Sequence, residues 1–405
     1  MVKRSLVALA AAFSMAPAAG LAQEGKTAEE KIDEVKGRVD SAEEQVAEMK
    51  VDLSGLKKIK LSGYVQGRWQ ESRAAKTDTG TTSPATANDG FSVRRGRLKA
   101  TYDGSISEYV LQIDAVPSGV TLKDAEATLK LPWLQGRVTI GQTKWPFGYE
   151  VLQSSGDRQM PERTRVVGAF APGERDRGIK LSAKYQFVDL KIGVFTGNGT
   201  GYRGYNLTSN VAVTPTGLDN DTAKDVLGRL GVDFGFVVAG VSYWTGDTFR
   251  PAYTPTGQPT VPGAYYTRDR LGVDAQVYLD LLPIGGTALK GEFITGETPY
   301  VSGYELLGKK ARGWYLFLSQ WLGTNFEVVA RYDTLDLDTG AGDTANAQGV
   351  PGSLNRVDTF GFGALWHPDG NFKVAAIYEI PTTGVPAGGK DPAGNLFTLQ
   401  VQAKF

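Results

Sequence analysis

The sequence contains no cysteine, only one histidine, and no long apolar run after its first two dozen residues. The missing cysteines mean that disulfide bonds do not stabilise the chain. The missing apolar runs exclude a helical membrane protein, because a membrane helix needs about 20 consecutive apolar residues. The formal charge is zero, which gives no reason to expect a nucleic-acid partner.

Residues typical of catalytic and metal sites are also scarce. The single histidine, His367, lies in the turn-like stretch WHPDGN, so no histidine is placed as a base beside a nucleophile. Without cysteine or histidine clusters, a transition-metal site is not expected. The acidic stretch 333–349 lacks the ligand spacing of an EF-hand. We therefore predict no catalytic residues, no metal site and no cofactor.

Residues 1–22 have the order of a secretory signal peptide. Lys3 and Arg4 precede an apolar stretch, and Gly20 and Ala22 are the small residues before the expected cleavage point. The charged start, the apolar middle and the small-residue end follow one another in the order that is typical of a secretory signal peptide. The chain is therefore predicted to be exported through the Sec pathway.

Residues 23–58 are predicted to form a periplasmic coiled-coil segment. The composition is rich in Glu, Lys, Ala and Val, and apolar or small residues alternate in steps of three and four from Ile32 to Leu56. That spacing is typical of a coiled-coil seam and favours self-association. The alternative is a solvated helical spacer, because an isolated helix of this length is only marginally stable in water.

After Lys58 the period of apolar residues changes to two. In IKLSGYVQGRW, Ile59, Leu61 and Val65 lie on one face, whereas Lys60 and Gln66 lie on the other. About 16 segments of roughly 8 to 13 residues follow this alternation, and short connections between them alternate with long ones. The pattern predicts that residues 59–405 are an all-β, 16-stranded antiparallel transmembrane β-barrel. A soluble sandwich is the alternative, but 16 strands around one core would be unusual.

Such a barrel belongs in the outer membrane of a Gram-negative cell. A sheet in hydrocarbon must satisfy all its backbone hydrogen bonds, so it has to close. Short turns on one side and long loops on the other are typical of bacterial outer-membrane barrels. Outer-membrane lipid and lipopolysaccharide are then the expected surroundings.

The rows of residues opposite the apolar rows carry many charges and are predicted to face a water-filled bore. About 16 strands enclose a bore wide enough for water, and unpaired charges would not be buried in a dry core. The basic residues predicted to line the pore are Arg68, Arg95, Arg97, Lys99, Arg137, Lys180 and Lys184. Arg95, Arg97 and Lys99 form a ladder on one strand that favours anions; the alternative is a wall neutralised by nearby carboxylates.

The connection 148–176 is the third external loop and the longest one predicted. Loops of this length are uncommon unless they have a function. Folded into the bore, it would constrict the channel; left outside, it would be a surface lid. The charged residues predicted to set the field at the constriction are Glu150, Asp157, Arg158, Glu162, Arg163, Arg165, Glu174 and Arg175.

Three segments resemble the phosphate-selective porin O and P family. They are GFSVRRGRLKATYDG, GQTKWPFGYEVLQSSGDRQMPER and FAPGERDRGIKLSAKY, together with a last strand ending in Phe405. The resemblance implies a homotrimeric 16-stranded outer-membrane porin whose third loop enters the channel and whose basic residues guide anions. This chain mixes many carboxylates among its bases, so the likeness carries over to architecture more securely than to phosphate selectivity.

The predicted function is passive diffusion of small hydrophilic solutes and ions through a water-filled channel, with a mild preference for anions such as phosphate. The alternative is a structural anchor or adhesin, tethered to the cell wall through the coiled coil. In either case the coiled segment would reach into the periplasm, where the helices of three chains would meet or would contact peptidoglycan.

Overall fold

The computed structural model describes residues 28–72, 90–197, 199–200, 222–250, 252, 260–301, 304–341, 355–381 and 395–405. The predicted signal peptide, 1–22, lies outside the described residues. A single long helix, α1, spans Ala28–Leu56 within the predicted coiled segment. Among the described residues, no helix is long and apolar enough to cross a membrane.

Within the described ranges the rest of the chain is mainly β-structure. A second, short helix, α2, spans Arg165–Phe170. The strands are β1 (Ile59–Ser72), β2 (Gly90–Asp103), β3 (Ser107–Val116), β4 (Gly119–Lys130), β5 (Arg137–Lys144), β6 (Arg175–Tyr185), β7 (Val188–Phe195), β8 (Asp225–Asp233), β9 (Val237–Thr245), β10 (Asp247–Arg250), β11 (Ala264–Thr267), β12 (Arg270–Leu282), β13 (Gly285–Glu297), β14 (Tyr300–Val301), β15 (Tyr304–Glu305), β16 (Lys310–Leu322), β17 (Phe326–Asp336), β18 (Arg356–Trp366), β19 (Phe372–Pro381) and β20 (Leu396–Lys404).

Sixteen of the described strands form one closed antiparallel barrel. Each pairs with its neighbour in chain order, except that β10–β11 and β14–β15 form separate two-stranded ladders in the connections. The barrel closes where β20 pairs with β1, with Tyr64 opposite Lys404 and Gln70 opposite Thr398. Closure removes the free edges of the barrel sheet, as hydrocarbon surroundings require. The predicted 16-stranded barrel is confirmed.

The connections differ sharply between the two ends of the barrel. At one end they are two to six residues long, as in 186–187 between β6 and β7 and 131–136 between β4 and β5. At the other end the only short connection is 117–118, between β3 and β4, and the connection from β5 to β6 runs over 145–174. The alternation of short and long connections that the sequence predicted is therefore present in the fold.

The burial of side chains is inverted relative to a water-soluble protein. Polar residues such as Gln66, Thr139 and Gln276 are buried, whereas Leu61, Ile140 and Leu316 on the outer face are exposed. Side chains alternate between the two faces of a strand, so the apolar set forms an outer belt and the polar set lines the interior. An exposed belt of this kind is stable only against lipid.

Candidate functional site

The connection between β5 and β6 carries the candidate site and is called loop 3 below. It comprises residues 145–174, so it begins three residues earlier and ends two residues earlier than the predicted 148–176. Arg175 was predicted as a loop residue but is the first residue of β6, where it pairs with Lys144 across the ladder. The loop therefore ends at residue 174, because Arg175 already pairs in the sheet. The sequence pattern did not reveal this pairing.

Loop 3 packs by its apolar residues against inward-facing side chains of the barrel wall. The rings of Trp145 and Phe147 lie 4.6 and 5.8 Å from that of Trp244 on β9. All three side chains are buried. The buried apolar cluster also contains Val151, Met160, Val166, Val167 and Phe170 from the loop and Ile294, Tyr315, Phe317 and Leu335 from the wall. Burial of this many large side chains gives the loop a dry base inside an otherwise polar interior.

The start of the loop depends on a glycine. Gly148 has a φ of 61°, a conformation that favours glycine. A Cβ at this position would collide with the carboxylate of Glu292. The backbone can therefore come close to the wall, where the Gly148 amide donates to Ser242 Oγ (3.0 Å) and the Glu150 amide donates to Glu292 Oε2 (3.2 Å).

Several charged residues of loop 3 hold the loop together rather than facing open space. Glu150 is buried and accepts hydrogen bonds from the amide and hydroxyl of Thr164, at 3.0 and 2.7 Å. Thr164 in turn caps α2 by accepting from the Val167 amide. Arg163 donates to the carbonyl of Glu150 (2.8 Å) and forms an ion pair with Glu174. These contacts fold the loop on itself.

The tip of the loop reaches the seam where the barrel closes. The Tyr64 hydroxyl lies 2.5 Å from Ser155 Oγ, and Gln402 donates to the carbonyl of Gly156 at 2.9 Å. Lys404 pairs with Asp157 at 2.7 Å. Tyr64 and Gln402 belong to β1 and β20, whereas Trp244 lies on β9, far around the barrel. The loop therefore contacts widely separated parts of the wall.

Glu162 is the centre of a cluster of arginines. It pairs with Arg68 of β1 at 2.9 Å and with Arg95 of β2 at 3.1 Å, and Arg94 donates to its Oε2 at 3.0 Å. Burial by itself would raise the pKa of Glu162, but the charges of Arg95 and Arg94 hold that pKa well below its usual range. Glu162 therefore remains ionised, and the exposure of about a third of its side chain to solvent also favours the charged form.

The two remaining members of the predicted ladder have different surroundings. Arg97 is buried and pairs with Asp114 of β3 at 3.2 Å, whereas Lys99, within the described chain, has no ion-pair partner. Arg95 also donates to Gln66 at 2.9 Å. The ladder is therefore partly neutralised, as the alternative interpretation proposed, and its open charge is concentrated at Lys99.

A cavity of about 490 Å³ lies between the loop and the wall formed by the first strands. Its lining contains six basic and three acidic side chains, which are Arg97, Lys99, Lys144, Arg175, Lys180, Lys404, Asp124, Glu126 and Asp157. Asp124 is paired with Arg175 at 2.6 Å and Asp157 with Lys404. Lys180 donates to Thr143 Oγ1 at 2.6 Å and forms no ion pair with a described residue. The open side of the loop thus has an excess of positive charge.

The remaining predicted residues lie elsewhere in the barrel. Arg137 and Lys184 are at the short-turn ends of β5 and β6, where Arg137 pairs with Glu108 at 2.6 Å. Arg165 donates to Thr359 of β18 at 3.0 Å. Arg158 is buried and lines a small cavity with Lys290 of β13 and Phe317 of β16. The predicted pore-lining and constriction residues are therefore distributed between the barrel wall and loop 3.

The apolar base of loop 3 was missed in the sequence. Lys290, Glu292 and Ile294 share one face of β13, as the alternation of that strand shows. Ile294, an apolar residue in a row of charged ones, was the signal in the sequence that this part of the wall contacts apolar residues. The run WYLFL on β16 gives no such signal, because the residues on both faces of the strand are apolar there.

Comparison with known proteins identifies the architecture. The family model described as phosphate-selective porin O and P matches residues 59–221, and no curated protein matches the chain in sequence. Among solved structures, OprB of Pseudomonas putida has a TM-score of 0.57 at 11% identity, covering 86% of this chain and 94% of its own. The outer membrane channel DcaP of Acinetobacter baumannii has a TM-score of 0.53 at 12% identity, with coverages of 86% and 97%.

A third solved structure is the anion-selective porin from Comamonas acidovorans. It has a TM-score of 0.52 at 15% identity and covers 86% of this chain and 99% of its own. At such identities the likeness establishes the fold. The family match, which spans the first seven barrel strands, confirms the resemblance seen in the sequence motifs. Residues 59–221 therefore match the phosphate-selective porin O and P family, and the chain has the 16-stranded barrel fold of outer-membrane porins.

Proposed function

We propose that loop 3 constricts the channel and that solutes pass between the loop and the wall of β1 to β6. The observation that carries this proposal is the pair of distant attachments of the loop, at Trp244 on one side and at Tyr64 on the other. A chain segment held at both points lies across the interior. The 490 Å³ cavity on its open side is then part of the conducting path.

The charge on that path supports a mild preference for anions. Lys99 and Lys180 line the cavity without ion-pair partners among the described residues, whereas two of the three acidic residues there are paired. Unpaired ammonium groups attract permeating anions and repel cations. Arg95 and Arg97 contribute less because Glu162 and Asp114 neutralise them. The preference would therefore extend to small anions generally and would include phosphate.

We expect the double substitution Lys99→Gln and Lys180→Gln to lower the anion-to-cation permeability ratio by roughly twofold, because each ammonium group faces a wide, water-filled cavity and contributes only about 0.1 kcal/mol after screening. Reversal potentials of single channels in a KCl gradient measure the ratio. Lys184→Gln is the matched control, since Lys184 lies at the short-turn end and pairs with Asp233 at 3.9 Å. An unchanged ratio in the double variant would refute the proposed path.

We propose further that the porin is a homotrimer and that α1 contributes to its assembly. Val39, Val46 and Met49 are exposed on α1 and are separated by seven and three residues, which places them on one face of the helix. Three such faces would bury one another. This surface also supports the alternative function of a periplasmic anchor, in which the helix contacts peptidoglycan.

Val39→Lys combined with Val46→Lys is expected to weaken the trimer, because lysines at seam positions cannot be buried together. Native mass spectrometry of the detergent-solubilised porin would show a larger monomer fraction than in a Lys36→Gln, Glu43→Gln control. Stepwise currents from either variant would favour a channel over a plugged anchor. If the lysine variant remained fully trimeric, α1 would have no role in holding the trimer together.

A further inference from the structure

A buried arginine of loop 3 makes no side-chain hydrogen bond with any residue that the structure describes. Arg158 is 4% exposed, and its three guanidinium nitrogens all lack such a partner among the described residues. The backbone around it is held firmly, since Lys373 donates to the Arg158 carbonyl at 2.7 Å. A buried guanidinium without a partner carries a large desolvation cost. An additional group at this place would offset that cost.

The same small cavity contains a second cation. Its lining is formed by Arg158 and five other loop residues, among them Tyr149 and Glu150. The wall contributes Lys290 of β13, Tyr315 and Phe317 of β16, and Arg331 of β17. Lys290 lies 5.4 Å from the ring of Phe317 and 5.8 Å from that of Tyr149. Among the described residues Lys290 has neither an ion pair nor a side-chain hydrogen bond. Two cations without an ion-pair partner therefore line one small cavity, beside the carboxylate of Glu150.

The other charged groups of the cavity are already engaged. Glu150 accepts from Thr164 and lies 4.0 Å from Arg331. Arg331 pairs with Glu379 at 2.9 Å and donates to the carbonyl of Glu162 at 2.9 Å. Arg331 also lies 3.5 Å from Asp333, so three carboxylates share its charge. Arg158 and Lys290 are the two cations of the lining that form no ion pair with a described residue.

We propose that this cavity holds a resident chloride ion, bound by Arg158 and Lys290, that locks loop 3 against the wall. The cavity measures about 20 Å³, and roughly 10 to 15 Å³ is enough for one water. A monatomic halide fits, whereas phosphate is too large. The ion gives both cations a counter-charge and joins the loop to β13. This cavity shares no lining residue with the 490 Å³ cavity, so it is separate from the proposed permeation path.

The first test locates the ion in the intact porin. Crystals of the full chain grown in bromide instead of chloride are expected to show one anomalous peak between the Arg158 guanidinium and the Lys290 ammonium. Bromide is the probe because it replaces chloride at such sites and scatters anomalously. A cavity that contains only water, with no anomalous signal, would overturn the proposal whatever the variants do.

The second test measures what the ion does. In hydrogen–deuterium exchange, amides of loop 3 are expected to exchange about tenfold more slowly in sodium chloride than in sodium gluconate at equal ionic strength, since an ion at several times its Kd stabilises the closed loop in proportion to 1 + [ion]/Kd. Gluconate is too large to enter. Arg158→Gln is expected to abolish the difference between the two salts.

The matched control is Arg165→Gln, which removes an arginine from the same loop but outside the cavity. It should retain the dependence on chloride, because Arg165 contacts Thr359 instead. A chloride effect that is equal in Arg158→Gln and in the unaltered porin would show that the salt acts elsewhere. That result would contradict the assignment even if the loop itself is stabilised by halide.

Discussion

Replacing Glu162 by glutamine should shift the channel strongly towards anions. Glu162 is the shared partner of Arg68, Arg94 and Arg95, and its depressed pKa keeps it ionised. Removal of one charge a few ångströms from a permeating ion changes the ion's energy by roughly 0.5 kcal/mol after screening, with opposite sign for anions and cations. The anion-to-cation permeability ratio should therefore rise by about fivefold, as measured by reversal potential.

Two controls separate the charge from the contacts. Glu162→Asp preserves the charge, so it should retain most of the original selectivity even if the shorter side chain loses one arginine. Asp103→Asn removes a carboxylate that pairs with Lys130 near a short turn, where we expect little change in selectivity. If Glu162→Gln and the unaltered porin give equal reversal potentials, Glu162 does not face the conducting path.

The same substitution should also weaken the attachment of the loop. Arg95 is buried, and a buried guanidinium that loses its carboxylate is destabilising because the charge cannot return to water. Gln66 would still accept from Arg95, so part of its hydrogen bonding survives. Noisier open-channel current in Glu162→Gln than in Glu162→Asp would report this loosening.

The barrel could be predicted from the sequence because its physical requirements are local. Successive side chains of each strand point alternately to lipid and to water. The polarity of residues such as Leu61 and Gln66 therefore predicts their face of the sheet, even when the neighbouring strand is not known. The long and short connections are equally visible along the chain. Strand count and closure then follow from the need to satisfy the backbone in hydrocarbon.

The interior of loop 3 could not be predicted in the same way. Glu150 and Arg163 look like typical solvent-exposed charges in the sequence, yet Thr164 and Glu174 bind them inside the loop. Nothing in the local sequence distinguishes them from Glu162, whose partners come from β1 and β2. Which charges face the path depends on how the loop packs against Trp244, and that contact joins residues about 100 positions apart.

Removal of Trp244 should release loop 3 while leaving the barrel intact. Its ring supports Trp145 and Phe147, and its indole N–H donates to Asp225 at 2.8 Å. Truncation of a buried tryptophan to alanine typically costs about 3 to 5 kcal/mol, and here that loss falls mainly on the loop. We therefore expect Trp244→Ala to raise the single-channel conductance and to expose loop 3 to added protease.

The adjacent residue provides the control for this experiment. Tyr243 precedes Trp244 on the same strand but points to the lipid face, where it is exposed. Tyr243→Ala removes an aromatic ring of similar chemistry and should leave conductance and protease resistance of the loop unchanged. Heat resistance in detergent should remain in both variants, because the strand ladder is untouched. Equal effects from the two substitutions would contradict the assignment of Trp244 as the base on which the constriction rests.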